Sequence, residues 1–107
     1  MTVQPPGGVY RFGAFTLDTS NWSLLKSGIA RELRPKSFEV LCYLVRHPGS
    51  IITKDELLAA NWPDVVVTED SLTRCVSDIR SALEDHDQRI VRTLHRRGYR
   101  FDAAVTM

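Results

Sequence analysis

The stretch from Thr68 to Leu83 has the pattern of an amphipathic helix, and it limits the possible folds more than any other stretch. At about 100° per residue, its apolar side chains fall in one arc and its polar side chains gather on the opposite side. The apolar arc holds Leu72, Cys75, Val76, Ile79, Ala82 and Leu83, and the polar side holds Asp70, Thr73, Arg74, Ser77 and Ser81. A solvated helix face more often carries long Lys and Glu side chains. The pattern predicts a helix that packs on a core and offers a small polar surface to solvent or to a partner.

The size and composition of the chain are typical of one globular domain. It has 107 residues, of which 43% are hydrophobic and 25% are charged. No apolar run approaches the roughly 18 residues of a membrane span, and the N-terminus lacks the pattern of a secretory signal. We expect a domain without membrane contact, located in the cytoplasm or on the cytoplasmic side of a longer membrane-anchored protein.

The first third of the chain predicts a small antiparallel sheet. Residues 1–8 have linker composition and are expected to form a flexible lead-in to a domain at 9–103. Between 9 and 33, short alternating apolar runs are separated by turn signals at Gly13 and at 26–28. This region therefore predicts four strands.

Three helices are predicted between residues 35 and 83. Pro35 suits the first position of a helix. Thr53 and Glu56 have capping-box spacing at the start of the second helix, and Thr68 is predicted to cap the third.

Residues 90–101 predict a basic β-hairpin with its turn at 95–98. Formal net charge is only +1, but five arginines and no acid lie between 89 and 100. The tip arginines suit DNA phosphates or a minor groove, although a solvated hairpin is the competing interpretation. For Arg92 and Arg100, packing over Tyr99 or the helices is equally consistent with the pattern.

This order of elements predicts an α+β winged helix-turn-helix fold. A short helix, a tight connection and a longer helix with a polar outer face suit a helix pair whose second member enters the major groove. That groove is about 12 Å wide and admits one helix.

Three segments of the chain resemble the OmpR/PhoB-type winged-helix DNA-binding domain, in particular the variety at the N-terminus of CadC- and ToxR-like regulators. They read RELRPKSFEVLCYLVRHPGSIITKDELLAANWPD, VTEDSLTRCVSDIRSALED and IVRTLHRRGYRF. The resemblance covers about Tyr10 to Phe101. It implies a bacterial transcription regulator that binds double-stranded DNA, with a recognition helix at 68–83 and a wing at 90–101.

The resemblance also implies roles for individual residues. Base-reading or groove-facing roles fall on Thr73, Arg74, Ser77 and Asp78, and backbone or minor-groove roles on Arg80, Thr93, His95, Arg96 and Arg97. The family's wing arginine falls on His95, so its minor-groove role moves to Arg96 or Arg97. Contact with RNA polymerase falls on a loop that includes Asn61, Pro63, Asp64, Val65 and Val66. Dimeric or tandem binding to DNA is implied as well.

Two residues depart from the family's pattern. Asp78 stands where response regulators often have arginine, and an acid beside DNA repels phosphate unless it is paired or accepts from a cytosine amino group. We expect Arg74, one helical turn away, to neutralise it. Arg34 stands where a threonine or serine cap often precedes the proline, which predicts a first helix without a side-chain cap.

The sequence predicts no catalytic residue, metal site or cofactor. Cys42 and Cys75 lie at apolar positions of helical patterns and are expected in the core. The histidines lack metal-ligand spacing, no Gly-rich phosphate loop follows a strand, and residues 85–87 are interpreted as a solvated loop.

A winged helix that acts mainly as a protein–protein interaction module is the alternative function. Its contact surface would be the acidic second helix and residues 65–67. The low net charge favours this alternative.

Overall fold

A computed structural model describes residues 8–107, so residues 1–7 of the lead-in predicted at 1–8 lie outside the described residues. The elements follow the order strands, helices, hairpin. The strands are β1 (Val9–Phe12), β2 (Phe15–Asp18), β3 (Ser23–Lys26), β4 (Ile29–Arg31), β5 (Val91–Leu94) and β6 (Gly98–Phe101), and the helices are α1 (Pro35–Arg46), α2 (Lys54–Asn61) and α3 (Glu69–Ala82). The predicted winged helix-turn-helix fold is confirmed. No helix within the described residues is both long and apolar enough to cross a bilayer.

The first four strands form an antiparallel sheet in the order β1-β2-β3-β4. Because side chains alternate along a strand, one face buries apolar residues while the other stays more open. Its inward side chains are Tyr10, Phe12, Phe15, Leu17 and Leu24. The segment after the wing returns to this sheet, where Thr106 forms an antiparallel bridge with Arg11.

The helices begin where the sequence predicts, and one of the two predicted threonine side-chain caps forms. Thr53 accepts a hydrogen bond from the backbone N–H of Glu56, as predicted, and Arg34 provides α1 with no side-chain cap. Thr68 is the N-cap residue of α3, as predicted, but its side chain forms no capping bond, and its carbonyl accepts from the N–H of Ser71. Two acids in the first turn of α3 still complement the helix dipole.

The core lies between the sheet and the three helices. Phe101 of the wing reaches into it and meets Phe12 edge-on, with ring centroids 5.0 Å apart. Cys42 and Cys75 are free and buried, so their predicted core positions are confirmed. Burial raises the pKa of the Cys42 thiol to about 11. Each fully buried Leu, Ile or Phe contributes about 1.5–3 kcal/mol, so the inner face of α3 fixes the orientation of its outer face.

The wing docks on the segment before α2. Ile52 and Tyr99 form an antiparallel bridge, with N–H to carbonyl distances of 2.8 and 2.9 Å. Gly98 is buried with φ +140°, and a Cβ there would overlap the carbonyl of Ile52. Only glycine fits this approach.

Candidate nucleic-acid interface

The outer face of α3 is an exposed surface of mostly short side chains. Thr73, Arg74, Ser77 and Ser81 are exposed, and residues of the inner face are buried. Within residues 8–107, Arg74 forms neither an ion pair nor a hydrogen bond with its side chain. Arg74 is therefore a long cationic donor available to a partner, among short groups that let the partner come close.

The structure brings two predicted backbone contacts together at the junction of α3 and the wing. The Arg80 guanidinium donates to the carbonyl of Val91 from Nε at 3.1 Å and Nη2 at 2.7 Å, and Nη2 also lies 2.7 Å from Thr93 Oγ1. Burial lowers the pKa of Arg80 from its usual value, but an arginine remains charged in a protein. Arg80 therefore braces the wing against the helix.

Asp78 lies at the edge of the α3 face and is already paired. The expectation that Arg74 neutralises it is wrong, because the guanidinium of Arg34 fills that role at 2.6 Å. Ser37 Oγ donates to the same oxygen, Oδ2, at 2.8 Å. Arg34 precedes α1, so this contact joins two elements that are distant in sequence.

The wing tip carries two arginines that have no partner among residues 8–107. Residues 95–97 are all exposed, and Arg96 takes a left-handed conformation with φ +62°. The tip borders a cleft of about 370 Å³ whose other walls are the first residues of α2 and α3. Its lining residues are Thr53, Lys54, Asp55, Glu69, Arg96 and Arg97. Lys54 and Glu69 pair with each other at 3.2 Å, and neither tip arginine pairs with an acid among residues 8–107.

The arginines on the wing strands, unlike those at the tip, are paired with an acid. Arg92 and Arg100 face each other across the hairpin, and both donate to Asp102, from Nε atoms at 2.9 and 2.5 Å. The hydrogen bond from Arg100 is the main reason that the pKa of Asp102 is lowered. Asp102 lies just beyond the acid-free run, where it holds two of the five arginines and offsets one positive charge.

The loop predicted to contact polymerase is exposed except at its first residue. Asn61 is 5% exposed, its Nδ2 donates to the carbonyl of Leu57 at 2.9 Å, and its own carbonyl accepts from Lys36 Nζ at 2.7 Å. Val65 and Val66 are 61% and 101% exposed. The surface part of the loop is therefore 63–66, with Asn61 as its internal support.

Sequence reasoning missed Asp85, which organises the base of the wing. Interpreting it as part of a solvated loop was wrong, because it is 5% exposed and its carboxylate accepts three backbone N–H bonds. The donors are the N–H groups of Arg89, Ile90 and Val91, at 2.8, 3.1 and 2.9 Å. An Asp between a helix end and a strand is a signal for such side-chain to backbone bonds.

Comparisons with known proteins agree on the family. The model of the family described as "Transcriptional regulatory protein, C terminal" matches residues 28–101. The chain is 41% identical over 86 residues to the transcriptional regulator HilA of Salmonella typhimurium, across 79% of this chain and 16% of that protein. The chain thus spans about a sixth of the length of this relative.

Solved structures show the same architecture. The DNA-binding domain of Escherichia coli CadC superposes with a TM-score of 0.81 at 27% identity, covering 92% of this chain and 94% of that one. The RstA DNA-binding domain of Klebsiella pneumoniae, solved in complex with the RstA box, gives a TM-score of 0.77 at 28% identity and covers 88% and 96%. The predicted resemblance to the OmpR/PhoB type is confirmed.

Proposed function

This chain belongs to the family of transcriptional regulatory protein C-terminal domains, and we propose that it binds double-stranded DNA, without catalysis, for a bacterial transcription regulator. The observation that carries the proposal is the pairing of two surfaces. The exposed short-chain face of α3 stands beside a wing whose tip arginines have no partner in the described part of the chain.

In this proposal α3 lies in the major groove and chooses the sequence. Thr73, Arg74 and Ser77 face base edges, and Arg74 can bind O6 and N7 of a guanine with two donors. Arg80 and Thr93 approach the backbone at the junction with the wing. His95, Arg96 and Arg97 approach phosphates or the neighbouring minor groove.

The same proposal extends to partners and location. The exposed surface of the loop at 63–66 suits contact with RNA polymerase, and two copies of the domain bind adjacent half-sites on DNA. Because the DNA of a bacterium lies in the cytoplasm, the domain is placed there, either free or attached to a membrane anchor.

Titration of duplex DNA tests this function. The chain should retard random duplex at low salt, and selection from a random pool should yield a defined site, which also reports half-site spacing. Retardation of neither random nor selected duplex at micromolar protein would overturn the proposal.

One observation favours a second candidate, a protein-interaction module. Val65 and Val66 are exposed beside an acidic α2, and formal net charge is only +1. Failure to bind DNA, together with loss of a protein partner on replacing both valines by serine, would favour this candidate.

A further inference from the structure

Arg34 lies outside α3 in sequence but beside it in space. Its Nε and Nη2 atoms are both 2.6 Å from Asp78 Oδ2. Ser37, in the first turn of α1, donates to that same oxygen at 2.8 Å. The side chain of Arg34 is therefore held at a fixed place against the recognition helix.

Arg34 and Arg80 stand on opposite flanks of the exposed face of α3. With Asp70 placed at 0° and about 100° per residue, Ser77 lies at about −20°, near the centre of the face, while Asp78 lies at about +80° and Arg80 at about −80°. Arg80 faces the wing through its bond to Thr93, and Asp78 faces the start of α1. One flank thus ends in the wing and the other in Arg34.

The Arg34 guanidinium keeps donors for an external acceptor. Its side chain is 59% exposed, against 33% for Asp78. A guanidinium has five N–H donors, and the hydrogen bonds to Asp78 use Nε and Nη2, so Nη1 is unused. Arg34 also lines a solvent-open cleft of about 450 Å³ together with Arg74, so it lies near one of the proposed base contacts.

A helix in the major groove has a phosphate backbone on each side. The wing with Arg80 serves one side. On the other side, an unpaired Asp78 would repel the phosphates, but the Arg34 guanidinium pairs with it.

We propose that Arg34 contacts a backbone phosphate on the side of the groove opposite the wing, and that Asp78 and Ser37 are positioning residues for this contact. The inference rests on the proposed DNA binding. It assigns a phosphate contact to a residue outside the recognition helix and the wing, and it gives Asp78 a positioning task instead of base reading.

Arg34→Gln, with Arg46→Gln as a matched control, tests the contact. Arg46 is an exposed arginine at the far end of the same helix, so both variants lose one charge. On a selected duplex, Arg34→Gln should bind roughly three- to tenfold more weakly, and the log–log salt slope should flatten by up to about 0.9 relative to Arg46→Gln. Equal affinities and slopes for the two variants would overturn the inference.

Phosphate ethylation interference locates the contact and separates it from a general charge effect. The wild type should show interference on both sides of the groove, and Arg34→Gln should lose it on the side away from the wing only. Arg96→Ala/Arg97→Ala should lose it on the wing side. Unchanged interference for Arg34→Gln, with the wing variant behaving as expected, would overturn this inference but not the proposed function. Absence of DNA binding by the wild type would overturn both.

Two further variants keep the test decisive if Arg34→Gln folds poorly. Arg34→Lys retains the charge and should retain the salt slope while binding more weakly than wild type. Asp78→Ala should weaken interference at the same phosphate without changing base preference. A new preference at one base pair would instead make Asp78 a base-reading residue and overturn its positioning role.

Discussion

The exposed face of α3 and the tip of the wing use positive charge in different ways. Among the described residues, the α3 face presents one arginine without a side-chain partner, Arg74, among short polar side chains, whereas the wing tip presents two adjacent ones, Arg96 and Arg97. The short neighbours on α3 permit close approach to base edges. The projecting tip instead carries exposed charge, which in the proposed function contacts phosphates of any DNA sequence.

The number of uncommitted arginines matters more than the total number. In the hairpin region, Arg92 and Arg100 are occupied by Asp102, and Arg80 of α3 is bound to the wing backbone. A count of charges along the sequence therefore overestimates the charge that a partner meets. In the proposed function, α3 selects the DNA sequence and the wing anchors the DNA backbone, and this division requires the two regions to keep a fixed relative position.

Replacing Gly98 should disturb the relative position of α3 and the wing more than any other change considered. Gly98→Ala combines a positive φ with overlap between its Cβ and the Ile52 carbonyl, so the free energy of unfolding should fall by on the order of 4 kcal/mol. Gly28→Ala is the matched control, since Gly28 also has a positive φ but nothing near its Cβ, and it should cost roughly 1–2 kcal/mol. Urea unfolding measures both, and equal losses would show that the close approach does not hold the wing.

Removing the Asp85 carboxylate should have the next largest effect. Asp85→Ala strands three backbone N–H groups at the base of the wing and should lower the free energy of unfolding by about 3 kcal/mol. Asp87→Ala, at an exposed neighbouring residue, should change it by less than about 0.5 kcal/mol. Thermal unfolding of the pair checks this, and similar midpoints would refute the role of Asp85.

Local patterns predict much of this fold, because strand alternation, the Pro35 start and the Thr53 cap depend on neighbours in the chain. The same reasoning fails where contacts join distant segments. For Asp78 the sequence predicts a partner one helical turn away, but its actual partner is 44 residues distant.

The failures at the site have a common physical cause. A polar residue near a helix end can be solvated, can cap the helix, or can be buried as a hydrogen-bond acceptor. The sequence permits all three, and tertiary packing decides among them. Thr68 thus forms no side-chain cap, and Asp85 is buried instead of solvated.

Removing the carboxylate that pairs with the wing-strand arginines should have a smaller effect, an increase in DNA affinity. Asp102→Asn removes an acid and frees Arg92 and Arg100, so affinity for random duplex at low salt should rise about two- to threefold, with a steeper salt slope. The slope and affinity can be measured by fluorescence anisotropy. Unchanged values would mean that these strand arginines lie beyond the reach of DNA.

The pKa of Asp102 predicts how this effect depends on pH. Its folded-state pKa is lowered, mainly by the hydrogen bond from Arg100, so the pairing persists above the usual carboxyl pKa and is lost only as pH falls through the lower folded value. The gain from Asp102→Asn should therefore be the same at pH 6 and pH 8. A gain that changes between these two values would contradict the assignment of this effect to the Asp102 carboxylate.

The most direct test of the division between α3 and the wing compares Arg74→Ala with Arg96→Ala/Arg97→Ala on a selected duplex and on random duplex across a salt series. The wing variant should bind both duplexes more weakly, keep its preference, and flatten the salt slope by about 0.9 for each phosphate that it no longer neutralises. Arg74→Ala should change the preference at one base pair by about 1–3 kcal/mol. An unchanged slope for the wing variant, or an equal loss on every sequence for Arg74→Ala, would contradict the account.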